Sequence, residues 1–456
     1  MMTSIGSNID QIFKRVYSYM FATTLTSVAR SVGLSTVMRA AGVFTRLLPI
    51  PQPTMMVGPG ASARLGQAIN DFGHHKVLIV TDSVITRLGL TAPLIQALKA
   101  GGTQYVVFDA ISPDAPIAQI EEGMAFFKAE GCDAIVAFGG GSAMDAAKTI
   151  GLAVTNHKHP RQLVGYFKGR RAPVPLYAVP TTAGTGSEVT VAAVVSDPDN
   201  NRKLVIADTR IVPRMAALDP SLMVGLPPDI TAATGMDALT HAIEAFIGHW
   251  GTPFTDRMAL SAIGMIFESL PVAHINGHDL AAREKMALAS NYAGQAFTRA
   301  NVGYVHAIAH QLGGLYHTPH GLANAIMLPY VLQYLSPAIT AKLAQMAQRA
   351  KVAKKGQSEA EMAQQFLKAI EAMNARLGIP ATLDALREED IAKLARAACR
   401  EADANYPVPL YMSQAICESV IRLALPSQAP AAPQAPRKTA ANKPEASPKK
   451  QVKAIK

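Results

Sequence analysis

The sequence predicts an α/β domain built on a parallel sheet, followed by an all-α domain. Three observations predict it. Short β-branched runs alternate with helical stretches from residue 54 to residue 226. At GLPP (225–228) the texture changes, and alanine, leucine and methionine dominate residues 227–427. The chain of 456 residues is 49% apolar and 17% charged, enough to bury two large cores.

KVLIV (76–80), QYVVFD (104–109) and DAIVAFGG (133–140) read as buried strands, and LYAV before Pro180 as a fourth. A helical pattern runs from Ala115 to Gly131 between the second and third. Such alternation implies a parallel sheet covered on both faces. The later helices are expected to break at Pro253, Pro271, Pro329 and Pro380, because proline removes a helix donor.

The two ends differ from the body. Residues 1–53 carry Lys14, Arg15, Arg30, Arg39 and Arg46 against Asp10, and residues 428–456 carry seven Lys/Arg against Glu445. These ends account for the net charge of +10, leaving 31 basic and 31 acidic residues between them. A neutral body argues against nucleic acid as a partner. The N-terminal extension reads as a helical arm packed on the body or on a second subunit of a homo-oligomer. A transit peptide or a basic membrane-surface helix is the alternative. The tail at 428–456 is too polar to offset its ordering entropy and is expected to be disordered. No uninterrupted apolar run reaches bilayer length, so no transmembrane segment is expected, although the basic termini suit peripheral membrane or partner contact. Cys132, Cys399 and Cys417 form no CxxC pair and no disulfide framework. A reducing, cytoplasmic setting fits, with organelle targeting by the arm as the eukaryotic alternative.

FGGGSAMDAAK (138–148) follows a strand and opens a helix. Its glycines permit close backbone approach, and the helix start offers free N–H groups to a pyrophosphate. An ordinary tight turn is the competing explanation. Asp82 ends the first strand at IVTD, where a carboxylate can accept from a ribose hydroxyl or simply cap the next helix. PTTAGTGSEVT (180–190) is dense in small and hydroxyl residues, suited to sugar and phosphate contacts or to a plain polar loop.

Asp237 and His241 lie four apart in GMDALTHAIEAF and so share a helix face. Most such pairs are ion pairs, but VGYVHAIAHQLGGLYHTPHG (302–321) adds His306, His310, His317 and His320. His306 and His310 again share a face, GG (313–314) is expected to end their helix, and His320 to lie in the following turn. A carboxylate with three imidazoles suits divalent iron or zinc with a position open to a substrate oxygen.

Together these motifs resemble the iron-containing (group III) alcohol dehydrogenase family: GGGSxxDxxK at Gly139–Lys148, PTTAGTGSE at Pro180–Glu188, GMDALTHAIE at Gly235–Glu244, and His306–Pro329. The resemblance runs from about Pro53 to Ser427. It implies an N-terminal dinucleotide-binding α/β domain (54–226), a helical metal-binding domain (227–427), and an active site between them. It implies metal ligation by Asp237, His241, His306 and His320, with iron expected and zinc acceptable. It implies that NAD meets Asp82, Asp114, Gly139, Gly140, Gly141, Ser142, Asp145, Thr181, Thr182, Thr190 and Lys203, and that His310 serves proton transfer. Asp82 would repel a 2′-phosphate, which points to NAD rather than NADP. The segment EADANYPVPLYMS (401–413) departs from the Cys- and Arg-containing stretch common in small-alcohol members.

The expected reaction is hydride transfer between a small primary alcohol or aldehyde and NAD. A hydroxyacid–oxoacid transhydrogenase, or a dicarboxylate reductase, would share every motif but needs a cation such as Arg299 or Lys168 near the metal. A scaffold protein with an idle enzyme body is a third reading. Replacing His320 by Ala should abolish metal retention and turnover together, as read by elemental analysis and activity on one sample. Full turnover without bound metal would sink the ligand assignment.

Overall fold

The computed structural model describes residues 33–426, apart from 35, 37, 39, 41, 44, 47 and 199–201. The expectations for residues 1–32 and 428–456 lie outside the described residues.

The N-terminal part is a six-stranded sheet in the order β1-β9-β6-β4-β2-β3. Its strands are β1 (Thr54–Val57), β2 (Lys76–Val80), β3 (Gln104–Phe108), β4 (Ala134–Gly139), β6 (Leu176–Pro180) and β9 (Met215–Leu218). Every pairing among them is parallel. Alternate residues of each strand enter opposite cores. Leu78, Val80, Ile135 and Ala137 pack beneath α4 (Ile117–Ala129) and α5 (Gly141–Asn156). Val77, Ile79, Val136 and Phe138 pack beneath α1 (Ala61–Asp71) and α3 (Ala92–Ala100), with the short α2 (Ser83–Arg87) beside them.

The four strands expected from β-branched runs are present. TMMV and MAAL, which form β1 and β9, carry little strand propensity; their place in a buried sheet decides their state. A second sheet joins β5 (Gly165–Tyr166), β7 (Ala192–Asp197) and β8 (Arg202–Ala207), in which β7 and β8 pair antiparallel. The expected parallel sheet is present, and this partly antiparallel ribbon is added to it.

Eight helices follow among the described residues: α6 (Pro228–Ile247), α7 (Pro253–Ile275), α8 (Leu280–Ala300), α9 (Tyr304–Tyr316), α10 (His320–Arg349), α11 (Glu359–Arg376), α12 (Glu388–Asn405) and α13 (Gln414–Arg422). α6 is central, packed on α7, α8 and α10. Two of the expected breaks are absent, since Pro271 lies inside α7 and Pro329 inside α10. Both prolines are buried, and packing outweighs the ~3 kcal/mol an interior proline costs. The kink in α10 falls instead at Ile339, two residues after Pro337. α7 and α10 are long and apolar enough to cross a bilayer by length and composition, yet both pack within the helical layer, α7 on α6 and α8, α10 on α6 and α11.

The described part of the arm lies on this layer. Trp250 Nε1 donates to Met38 O at 2.6 Å, and Arg299 donates to Ile50 O at 3.1 Å.

Sheet and helices meet tightly at Gly186. It adopts φ +59°, and a Cβ there would stand 2.7 Å from Ser290 O and 2.8 Å from Gly294 Cα on α8. Backbone atoms cannot yield as side chains do. Gly186→Ala should therefore cost about 2 kcal/mol or more. The checkable outcome is a fall of several degrees in the thermal unfolding midpoint of the purified protein.

Candidate active site between the sheet edge and the helical layer

Three strand ends build the first wall. β4 closes on Gly139 at φ +150°, Gly140 caps α5, and Gly141 is its first residue. A Cβ on Gly139 would lie 3.7 Å from Asp82 Oδ2, and one on Gly140 3.5 Å from Thr182 Oγ1. The loops after β2, β4 and β6 thus share one edge, with the α5 N-terminus facing it. Asp82 does cap α2, its Oδ1 accepting from Val84 N at 2.9 Å and Ile85 N at 3.0 Å, while Oδ2 lies toward the glycine turn. Ser142 Oγ accepts from Asp114 N at 3.0 Å, and Asp114 Oδ1 pairs with Lys203 Nζ at 2.8 Å. Thr181 is bound into the edge, its N–H donating to Gly139 O at 3.0 Å. Lys203 Nζ also lies 3.9 Å from where a Gly313 Cβ would stand, so it reaches from β8 to α9 across the cleft.

Asp145 and Thr190 are committed to internal bonds. Asp145 accepts from Ser187 Oγ at 2.7 Å and from Val194 N at 2.9 Å. Lys148 Nζ donates to Ser187 Oγ, Thr190 Oγ1, Thr190 O and Ala192 O at 2.8–3.0 Å. Burial pulls the Lys148 amine down to about 8 and pushes the Asp145 carboxyl up. This brace holds the 187–194 segment against α5.

The opposite wall is a histidine cluster. Asp237 and His241 project one turn apart from α6, His306 from α9, and His320 from the first residue of α10. One donor atom from each lies within 4.8 Å of all the others. Asp237 carboxylate oxygens stand 3.8 Å from His241 Nδ1, 3.8 Å from His306 Nε2 and 3.4 Å from His320 Nε2. The convergence depends on close helix contact: a Cβ on Gly321 would sit 2.2 Å from Ala233 O, so only glycine lets the start of α10 meet α6.

Glu244, one turn after His241, ties α6 to α9. It accepts from Gly303 N at 2.8 Å and Val305 N at 2.7 Å, where the helix start leaves N–H groups unpaired. It also takes His306 Nδ1–H at 2.6 Å. The His306 ring is thereby left with Nε2 toward Asp237 and without a hydrogen-bond partner, as is His241 Nδ1. Orphaned buried nitrogens are costly unless something fills the space between them. Burial lowers all three imidazoles, His320 to about 4, which keeps them neutral as ligands must be. Burial also raises Glu244 to about 8, against the pull of its three N–H donors. A neutral imidazole set around one carboxylate, with two orphaned nitrogens, fits a divalent iron or zinc ion.

His310 lies one turn beyond His306, outside the ligand cluster, its ring stacked on His320 at 5.3 Å and its Nδ1 bound to Glu401 at 2.6 Å. Two local expectations are corrected. His320 opens α10 instead of lying in a turn, and α9 runs past Gly313 and Gly314 to Tyr316, closed by His317 at φ 55°. Three supporting residues went unread in the sequence. Glu244 carried a legible signal, seven residues after Asp237 on the same face. So did Asn324, four after His320, which donates to Asp237 Oδ1 at 2.7 Å. Glu401 carried none, since it lies 91 residues from His310.

Two family models cover this architecture. "Iron-containing alcohol dehydrogenase" matches residues 52–220, and "Fe-containing alcohol dehydrogenase family, C-terminal" matches 231–424. The chain belongs to the iron-containing alcohol dehydrogenase family. It is 40% identical over 346 residues to the NAD-dependent methanol dehydrogenase of Bacillus methanolicus, covering 75% of this chain and 91% of the relative. It is 40% identical to the 1,3-propanediol dehydrogenase of Klebsiella pneumoniae over 76% of this chain and 91% of that one. The solved alcohol dehydrogenase from Oenococcus oeni superposes with a TM-score of 0.80 at 35% identity, covering 82% of this chain and 99% of that chain.

Within this iron-type dehydrogenase, Glu244→Gln should weaken the orientation of His306. Metal affinity is expected to fall ~10- to 100-fold, measured by chelator competition on the purified protein.

Proposed function

We propose that this chain transfers a hydride between a small primary alcohol or aldehyde and NAD, with a divalent iron held by Asp237, His241, His306 and His320. Zinc suits the same donors. The observation that carries the reading is the convergence of one buried carboxylate and three neutral imidazoles, two of them with orphaned nitrogens. The relatives named for methanol and 1,3-propanediol support a short-chain alcohol.

When bound, the cation supplies Lewis acidity toward an alcohol oxygen and the nicotinamide supplies the hydride acceptor. The chain's own residues bind, orient and move a proton. The α5 N-terminus and the Gly139–Ser142 turn offer N–H groups to a pyrophosphate. Asp82 Oδ2 offers an acceptor to a ribose hydroxyl, and its charge disfavours a 2′-phosphate. The Asp114–Lys203 pair links this edge to α9. His310, half-buried beside His320, takes the hydroxyl proton. The transhydrogenase alternative gains no support from Arg299, whose guanidinium is bonded to the Ile50 carbonyl.

The test is metal removal. A chelator should abolish the NAD-linked oxidation of primary alcohols from ethanol through butanol to their aldehydes, and ferrous iron should restore it with about one metal per chain. Undiminished turnover in verified metal-free protein would overturn the reading. Oxidation of 4-hydroxybutyrate coupled to an oxoacid, without free NADH, would favour the transhydrogenase.

A further inference from the structure

α9 carries two carboxylate–imidazole pairs one turn apart. In the first, buried Glu244 holds His306, a member of the metal cluster. In the second, Glu401 on α12 holds His310, which lies outside that cluster. The two carboxylates differ in surroundings: the Glu401 side chain is 23% exposed, whereas that of Glu244 is 2% exposed.

Both oxygens of Glu401 are engaged. Oε1 accepts from His310 Nδ1 at 2.6 Å and from the Tyr406 hydroxyl at 2.6 Å. Oε2 accepts from Gln311 Nε2 at 2.8 Å. Three donors from two segments therefore fix the plane of the carboxylate. The segment carrying Tyr406 is itself tied down, because Tyr411 donates its hydroxyl to Tyr406 O at 3.0 Å and Asn301 donates to Asn405 O at 2.9 Å. Glu401 accepts from Tyr406 and Gln311 and so stands as an acceptor toward His310 as well; the proton of that contact then sits on Nδ1, and Nε2 is the ring's open position.

We propose that Glu401, braced by Tyr406 and Gln311, is a positioning residue that holds His310 in the Nδ1–H tautomer, leaving Nε2 to take the proton of the substrate hydroxyl. The proposal rests on the reading of His310 as proton acceptor. In the step it serves, the substrate O–H bond breaks and an N–H bond forms at Nε2. The ring becomes an imidazolium whose charge lies against Glu401, and the proton then passes to water. The hydride leaves from the carbon and plays no part in this transfer. A ring without Glu401 would be free to turn or to carry its proton on Nε2, where it could not accept.

The test uses the full chain, iron-loaded for kinetics and zinc-loaded for NMR. In Glu401→Leu, kcat for alcohol oxidation should fall ~100-fold, with KM within about threefold and metal content unchanged. Nitrogen-15 histidine spectra, with His310 assigned by its loss in H310A, should show a protonated Nδ1 in the wild type and loss of that tautomer in the Leu variant. A kcat within about threefold of wild type, or a retained Nδ1–H tautomer, would overturn the proposal. Should the Leu variant fail to fold, Glu401→Gln keeps the shape without the charge. It is expected to lose ~10-fold in kcat, and an unchanged kcat there overturns the proposal equally. H310A separates the two readings. Full turnover in H310A removes His310 as acceptor, and the proposal with it. Lost turnover in H310A with normal turnover in Glu401→Leu removes only the role of Glu401.

Discussion

Asp237 is a carboxylate 3% exposed, set among three imidazoles that burial keeps neutral, and the arrangement of the helical half follows from that constraint. A buried carboxylate needs partners, and Asn324 supplies one by donating to Asp237 Oδ1 at 2.7 Å. The surrounding helices deliver the members of this cluster from three separate elements. α6 supplies two by helical periodicity, α9 one whose ring is turned by Glu244, and α10 one from its first residue. The near-absence of side chain at Gly321 lets that third helix start against the α6 backbone.

The same economy of parts appears at the sheet edge. Asp82 caps α2 with one oxygen and offers the other to the cleft. Lys148 is buried beneath the 187–194 segment and bonds to four oxygens there, which makes that segment a rigid wall. Gly186 sets that wall against α8, and Lys203 spans from Asp114 toward α9. Few residues thus register two differently built halves on each other.

Much of this was legible in the chain itself. Apolar runs mark β2, β3, β4 and β6, because a strand covered on both faces is apolar along nearly its whole length. The Asp237/His241 pair and the His306–His320 run announce a cation site, because helical periodicity puts such residues on one face. Local rules failed where packing overrode them. MAAL became an interior strand, Pro271 and Pro329 stayed within helices, and α9 ran past Gly313 and Gly314 to close at His317. For the strand and the two prolines, the burial of a larger surface outweighs a local preference of a few kcal/mol at most.

The sequence by itself determined the alternation that makes the sheet, the switch to helices, the glycine turn that opens α5 and the carboxylate and imidazole residue types of the cluster. These are periodic or contiguous features, encoded by neighbours within a turn or a strand. Tertiary structure alone decided which nitrogen each histidine presents. That choice is made by Glu244 acting on His306 and Glu401 acting on His310, carboxylates 62 and 91 residues distant along the chain. A ring nitrogen's role depends on the partner of its opposite nitrogen. No local pattern records that partner, because only the packing of α6 and α12 against α9 brings it within hydrogen-bond reach.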